Sequence, residues 1–139
     1  MKFEFTIPGK PCGKQRPRFG NGRTYTPEKT VNYENLVRLC FRQAYPNAEP
    51  ISAGVQVTAV IEAYFQIPKS TSKKRRNDMF ADVIRPTSKP DTDNIAKICL
   101  DALNGLAYHD DSQIVDCTVE KFYSDTPRVE IWIKERTFE

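Results

Sequence analysis

The stretch between Asp91 and Asp111 contains the side chains best suited to chemistry. It holds five aspartates and one cation, Lys97; the aspartates are Asp91, Asp93, Asp101, Asp110 and Asp111. Crowded carboxylates repel one another, and a hard divalent cation offsets that repulsion. Mg²⁺ favours a few carboxylates together with waters and phosphate oxygens. The stretch therefore predicts metal-assisted chemistry on a substrate that carries phosphate groups.

A helix that begins near Asp91 should present the first of these carboxylates. Either Asp91 or Asp93 is a suitable N-cap for a helix that runs to about Asn104. Apolar residues at helical spacing form its buried stripe, which consists of Ile95, Ile98, Ala102 and Leu103. Asp93, Lys97 and Asp101 lie four residues apart and therefore share one polar face of the helix.

Asp110 and Asp111 should lie on a turn before the next strand. If this turn folds back over the start of the helix, Asp111 joins Asp91 and Asp93 in one pocket beside the lysine. Acidic residues at helix starts commonly serve only as caps, and paired aspartates commonly mark only a turn. The presence of both features, with Lys97 one turn into the helix, favours a functional site over two separate structural motifs.

The order of these residues resembles the RusA family of Holliday-junction resolvases, which are bacterial and prophage endonucleases. The resemblance rests on the runs K-P-D-x-D-N-x-x-K, D-A-L-N-G and D-D-x-Q-I. Two earlier runs, G-K-P-x-x-K-x-R-P-R-F and Y-T-P-x-K-T, also resemble members of the family. The similarity extends from about Gly9 to the C-terminal strand.

The resemblance implies a role for each residue of the acidic motif. Asp91, Asp93 and Asp111 correspond to the metal-binding aspartates of the family, and Lys97 corresponds to its active-site lysine. The implied cofactor is Mg²⁺, and substitution by Mn²⁺ is left open. The implied partners are a four-way DNA junction and a second copy of the chain, since members of the family are homodimers.

Two segments concentrate positive charge, although the formal net charge of the chain is only +3. Residues 8–26 carry five basic side chains and no acidic one, and residues 68–89 carry seven against two aspartates. Positive segments on both sides of an acidic cluster suit a polyanion whose backbone must meet a metal. The candidate DNA-binding residues are Lys10, Lys14, Arg16, Arg18, Arg23, Lys73, Lys74, Arg75, Arg76 and Lys89. Basic loops that are merely solvated are the alternative.

The pattern of elements predicts an α+β fold, with one domain over residues 1–139 and a mixed β-sheet on which helices pack. This RusA-like domain should be homodimeric. Hydrophobic periodicity predicts strands at 2–7, 54–67, 113–123 and 128–134, helices at 28–44 and 91–104, and a short helix within 70–88. A turn at 125–127 should join the last two strands in an antiparallel hairpin.

The chain shows no sign of export or membrane insertion. No apolar run approaches the roughly 20 residues of a membrane span, and the first ten residues lack an apolar leader segment. The four cysteines show no C-x-x-C spacing, which argues against a zinc site. We expect a cytoplasmic protein with reduced thiols that acts at DNA in a bacterial or phage-infected cell.

These features predict a Mg²⁺-dependent, structure-selective endodeoxyribonuclease that resolves Holliday junctions by paired symmetric nicks in recombination and repair. One alternative is a non-catalytic junction-binding or DNA-binding protein whose carboxylates are helix caps. Another is a metal-dependent nuclease that acts on other branched DNA or on RNA. Carboxylates beside the phosphate path repel the ligand of a pure binding module, and they therefore favour the nucleases. Whether Asp101, Asp110 or Lys121 assists is left open.

Overall fold

A four-stranded mixed sheet is the centre of the fold in a computed structural model that describes residues 2–137. In chain order the elements are β1 (Lys2–Pro8), β2 (Arg18–Gly20), β3 (Arg23–Tyr25), α1 (Glu28–Ala44), β4 (Val57–Gln66), α2 (Lys73–Phe80), α3 (Thr92–Ala102), a 3₁₀ turn (Asp111–Gln113), β5 (Ile114–Ser124) and β6 (Arg128–Glu135). The main sheet has the order β1-β6-β4-β5, and β2 and β3 form a separate small hairpin.

Strand direction makes the sheet mixed. β6 is antiparallel to both β1 and β4, whereas β4 and β5 are parallel. A parallel pair needs a long crossover connection, and the segment that contains α2 and α3 provides it. The predicted α+β class, with a mixed sheet and packed helices, is therefore confirmed.

The predicted hairpin between the last two strands is wrong, because β4 lies between β5 and β6. Val129, Ile131 and Ile133 of β6 have no solvent exposure, which suits a strand with a neighbour on each side. β5 exposes many of its side chains and lies at the edge of the sheet. A turn signal shows that the chain reverses direction, but it does not show which strands become hydrogen-bonded neighbours.

One face of the sheet carries the core. Buried residues alternate along β1, β4 and β6 and pack against α1 and α3, as the alternating sequence pattern predicts; they are Phe3, Phe5, Ile7, Val57, Ala59, Ile61, Ala63, Phe65, Val129, Ile131 and Ile133. The helices contribute chiefly Val37, Phe41, Ile95 and Ile98 to the same cluster. This packing fixes α3, which carries most of the acidic motif, over the sheet beside the edge strand β5.

Local structure differs from the predictions in two places and agrees in a third. The basic segment 8–26 is not entirely a loop, because β2 and β3 pair around a turn at Asn21 and Gly22, both with positive φ. α3 ends at Ala102, about two residues earlier than predicted. The short helix predicted within 70–88 is confirmed as α2, which begins where Ser72 Oγ accepts a hydrogen bond from Arg75 N.

Within residues 2–137, no helix combines the length and the apolar character that crossing a bilayer requires. The four cysteines are free thiols, and they range from the fully buried Cys99 to the exposed Cys117. Burial raises the pKa of the Cys99 thiol, which therefore stays protonated and behaves as a small apolar core residue.

Candidate active site

Asp91 lies at the start of α3 but does not cap the helix with its side chain. It occupies the N-cap position with an extended backbone (φ −81°, ψ 165°) and makes no side-chain capping hydrogen bond. Instead, Asn94 Nδ2 donates a hydrogen bond to Asp91 Oδ1 at 2.7 Å. This hydrogen bond is the main cause that lowers the pKa of Asp91. Asp91 is therefore an ionised, exposed carboxylate at the mouth of the helix.

The neighbouring aspartates Asp110 and Asp111 have different surroundings. Asp110 caps the 3₁₀ turn: its Oδ2 accepts a hydrogen bond from Ser112 N at 3.0 Å, and its own N–H donates to Gln113 Oε1 at 3.0 Å. The bond from Ser112 lowers the pKa of Asp110. The side chain of Asp110 therefore stabilises the turn that presents Asp111.

Asp111 faces the middle of α3. Its backbone N–H donates to Asn104 Oδ1 at 2.8 Å, which ties the 3₁₀ turn to the loop that directly follows that helix. Its side chain lines a pocket of about 240 Å³, whose other lining residues are Ala96, Lys97, Leu100, Asp101 and Ile114. Burial and the nearby Asp101 carboxylate raise the pKa of Asp111. The structure thus brings Lys97, Asp101 and Asp111 together.

Asp91 and Asp111 line two different pockets beside α3. Asp91 and Asp93 lie at the start of α3, whereas the tether to Asn104 holds Asp111 beside the middle of the helix. Between residues 2 and 137, no three Asp, Glu, His or Cys side chains converge as a metal-binding cluster. The assignment of Asp91, Asp93 and Asp111 as metal ligands therefore stays a prediction.

The side chains still suit a hard divalent cation. Mg²⁺ usually binds through one or two carboxylates and keeps several waters, so that a closed cage of three aspartates is not required. Asp101 and Asp111 lie close enough for one carboxylate to raise the pKa of the other. A bound cation relieves such repulsion. The oxygen ligands and their repulsion therefore fit Mg²⁺ better than a metal that prefers thiolates or imidazoles.

A cationic pocket of about 630 Å³ adjoins Asp91. Five basic residues line it, namely Lys10, Lys14, Arg16, Lys29 and Lys89. Its wall is the segment 9–17, which docks on the start of α3, where Lys14 N–H donates to Asn94 O at 2.9 Å. A Cβ atom at Gly13 would lie 2.8 Å from Pro90 Cβ, so the contact requires glycine. Positive charge is thereby fixed beside an ionised aspartate.

Comparison with known proteins shows which family the chain belongs to. The family described as endodeoxyribonuclease RusA matches residues 8–134, which include the acidic motif and both pockets. The chain belongs to the RusA family. A relative from Bacillus subtilis (strain 168), described as "Uncharacterized protein YqaN", is 42% identical over 139 residues, which cover 96% of each protein. Membership of the RusA family implies a nuclease that hydrolyses phosphodiester bonds in DNA.

The predicted DNA-binding residues of this RusA-family protein fall into two groups. Most are exposed, namely Lys10, Arg16, Arg18, Arg23, Lys73, Lys74, Arg75 and Lys89. Phe19, between two of these arginines on the β2–β3 hairpin, is 77% exposed. The other two cations form ion pairs: Arg76 with Asp125 at 2.8 Å, and Lys14 with Glu34 at 2.9 Å. The DNA-binding role of all ten residues stays a prediction.

Two residues near the site of this RusA-family protein carried no role in the sequence-based prediction, and the role of a third, Lys121, was left open. Lys29 lines the cationic pocket, and its helical position gives no signal for this. Glu34 is buried on α1, and its spacing from Tyr33 and Val37 could have indicated an inward orientation. Lys121 Nζ donates to Ser88 O at 2.6 Å; burial lowers its pKa, and the charge of Asp91 partly opposes that shift.

Proposed function

We propose that this RusA-family protein is a Mg²⁺-dependent endonuclease that resolves Holliday junctions by paired symmetric nicks in DNA recombination and repair. The proposal rests mainly on the different surroundings of the aspartates near α3. Asp110 caps a turn, while Asp111 and Lys97 line one pocket and the ionised Asp91 borders a cationic one. A phosphodiester backbone can bind the cations while one of its phosphates reaches the carboxylates.

The acidic residues would hold the metal, with Asp91, Asp93 and Asp111 as the proposed ligands. Bound Mg²⁺ supplies Lewis acidity to a water and to the oxygens of the scissile phosphate. Lys97 would neutralise charge that develops on that phosphate, because it is exposed on α3 and lines the pocket of Asp111. Asn94 orients Asp91 through the 2.7 Å hydrogen bond.

The cationic residues would hold the branched DNA. Contacts to phosphates give affinity that is independent of sequence and decreases with salt concentration. The cationic pocket is close enough to α3 to fix the strand beside Asp91, and the exposed β2–β3 hairpin adds Arg18 and Arg23. Selectivity for a junction over linear duplex would then come from the shape of the branch.

We also propose that the protein is a homodimer. A four-way junction has approximate two-fold symmetry, and a two-fold dimer presents two equivalent sites to it. The sheet face opposite α1 and α3 would be the surface for the second copy, since it carries the partly buried Tyr64, Phe122 and Trp132. The rings of Tyr64 and Phe122 are 5.4 Å apart, and Arg128 Cζ lies 3.9 Å from the Tyr64 ring centroid.

The first experiment is a cleavage assay on a synthetic four-way junction and a linear duplex of matched sequence, with and without Mg²⁺. We expect symmetric nicks on the junction that require Mg²⁺, and no nicks from Asp91→Asn. Glu49→Gln, which removes an exposed carboxylate outside the site, is the control and should cut normally. Junction binding without nicks under any metal would instead support the binding-protein alternative, and cleavage confined to flaps or RNA would support the other nuclease.

A further inference from the structure

Lys14 joins three parts of the molecule. It lies in the segment between β1 and the β2–β3 hairpin, and its Nζ is 2.9 Å from Glu34 Oε2 on α1 and 3.4 Å from Asp101 Oδ2 on α3. Burial alone would lower the pKa of Lys14, but the hydrogen bond and charge of Glu34, together with Asp101, raise it. The ammonium therefore stays charged between two carboxylates.

Glu34 is the buried end of this network. Glu34 is 8% exposed and lies on the core-facing side of α1 with Tyr33, Val37 and Phe41. A buried carboxylate is strongly unfavourable unless a cation and hydrogen bonds compensate it. Lys14 supplies that compensation, and Glu34 in turn fixes the position of the ammonium.

Asp101 is the end of the network that faces the proposed nuclease site. It lines the same pocket as Asp111 and Lys97. Two carboxylates in one pocket repel each other, and without the Lys14 ammonium Asp101 would favour a rotamer that points away from Asp111. The ion pair with Lys14 opposes that movement.

We propose that Lys14 is a positioning residue, which holds the Asp101 carboxylate beside Asp111 and so fixes the wall of the nuclease pocket. The proposal rests on the proposed function, because it concerns the geometry of that pocket. It assigns Lys14 a role distinct from that of the exposed cations in the same basic segment. Those cations would contact DNA, whereas Lys14 acts on the site through Asp101.

The charges support this distinction. Lys14 and its two carboxylate partners together carry a net negative charge, so this cluster does not attract a polyanion. Arg16, two residues later, is exposed and forms no ion pair within residues 2–137. Two of the three ammonium donors of Lys14 face carboxylates, and a phosphate that approached the third would meet the negative charge of Glu34 and Asp101.

The test compares Lys14→Met with Arg16→Met in two assays. Junction affinity is measured without Mg²⁺ at several salt concentrations, and cleavage is measured in single turnover at saturating protein with Mg²⁺. We expect Lys14→Met to keep the salt dependence of binding and to cut roughly 10- to 100-fold more slowly, because small displacements at a reacting centre have effects of that size. Arg16→Met should bind more weakly, with a salt slope smaller by about 0.9.

Four further variants separate positioning from general stability. Lys14→Met combined with Glu34→Gln leaves no unpaired buried carboxylate, and the backbone contacts Lys14 N to Asn94 O and Gln15 N to Thr30 Oγ1 still dock the segment. This double variant should melt near the wild-type temperature and still cut slowly. Lys14→Arg should recover part of the rate. Asp101→Asn should cut slowly, and adding Lys14→Met to it should cause little further loss, because both act through one interaction.

A crystal structure of the Lys14→Met, Glu34→Gln variant provides a readout that does not depend on activity. We expect the Asp101 carboxylate to have turned away from Asp111. The proposal would be overturned if Asp101 kept its position, or if Lys14→Met lost affinity and salt dependence while it cut at the wild-type rate once saturated. Failure of the wild-type protein to cut junctions would overturn the proposed function instead, and the structure of the variant would still decide whether Lys14 positions Asp101.

Discussion

Two adjacent aspartates have different surroundings, which suit a structural role at one position and the proposed metal binding at the next. The Asp110 carboxylate accepts the N–H of Ser112, whereas the Asp111 carboxylate lines the pocket with Asp101 and Lys97. Asparagine can replace an aspartate as a cap, because its side-chain oxygen also accepts a backbone hydrogen bond. It lacks the negative charge that a metal ligand supplies. The same substitution at the two positions therefore has different expected effects.

We predict that Asp111→Asn abolishes junction cleavage and that Asp110→Asn retains it. In the Asp110→Asn variant the new amide oxygen would still accept the Ser112 N–H and keep the 3₁₀ turn, whereas Asp111→Asn removes a proposed metal ligand. Nicking of a labelled four-way junction with Mg²⁺ measures both variants, and circular dichroism checks that both are folded. Equal loss of activity in the two variants would show that the turn, rather than the Asp111 carboxylate, is what matters.

At the scale of elements, the segment 9–17 and the start of α3 form one unit. Gly13 lies against Pro90 and Asn94, and the next N–H donates to Asn94 O. Asn94 in turn donates a hydrogen bond to Asp91. A displacement of the segment would therefore move Asn94 and, through it, Asp91.

We predict that Gly13→Ala lowers both stability and cleavage. The new Cβ would lie 2.8 Å from Pro90 Cβ and 3.2 Å from Asn94 Cβ, and neither neighbour is the flexible end of a long side chain. Overpacking of this kind costs about 1–3 kcal/mol of the free energy of unfolding. Urea denaturation and single-turnover cleavage measure the two effects.

The control for Gly13→Ala is Val37→Ala, which removes packing from the fully buried face of α1. It should also lose stability, because it leaves a cavity. At a temperature where both variants are folded, Val37→Ala should cut like the wild type and Gly13→Ala should cut more slowly. Equal rates in the two variants would mean that docking of the segment does not affect the acidic motif.

The sequence predicted those elements that depend on local periodicity and capping. The alternation in β1 and β4 and the apolar spacing in α3 predicted the correct buried faces, because each pattern is complete within its own element. The insertion of β6 between β1 and β4 depends on competition among strands, which no local pattern records.

At the site, too, the sequence predicted the local pattern but not the contacts between segments. The sequence indicated which residues are clustered along the chain, and it separated the helix start from the aspartate pair. It did not show that Asn104 holds Asp111 beside the middle of α3, because that contact depends on how the loop after the helix folds. The inward position of Glu34 was readable from helical spacing, but its pairing with Lys14 was not.

We predict that Lys29→Ala weakens junction binding through the loss of one phosphate contact. Lys29 is exposed at the start of α1 and lines the cationic pocket beside Asp91. The slope of log affinity against log salt should fall by about 0.9. Arg42→Ala, which removes an exposed cation near the other end of the same helix, should leave the slope unchanged. Equal slopes for Lys29→Ala and wild type would place the DNA away from this pocket.

In the whole molecule, the proposed metal site lowers the free energy of unfolding when no metal is bound. Burial and the nearby Asp101 raise the pKa of Asp111, which means that the folded state disfavours its ionised form. At pH values above the raised pKa, Asp111 is ionised in the folded protein and the free energy of unfolding is lowered by the full amount. Below the ordinary pKa of an aspartate, the group is protonated in both the folded and the unfolded state, and the cost disappears. Replacement by a neutral residue removes the cost at neutral pH, a common consequence of losing a functional group.

We therefore predict that metal-free Asp111→Asn melts roughly 1–3 °C above the wild type at pH 7. The difference should shrink as the pH falls towards 4, because the wild-type carboxylate then takes up a proton. Added Mg²⁺ should raise the melting temperature of the wild type more than that of the variant, since a ligand stabilises the state that binds it. Differential scanning fluorimetry at several pH values, with and without Mg²⁺, measures all three effects. A Mg²⁺ response that is the same in both proteins would remove Asp111 from the proposed ligands even if the variant fails to cut DNA.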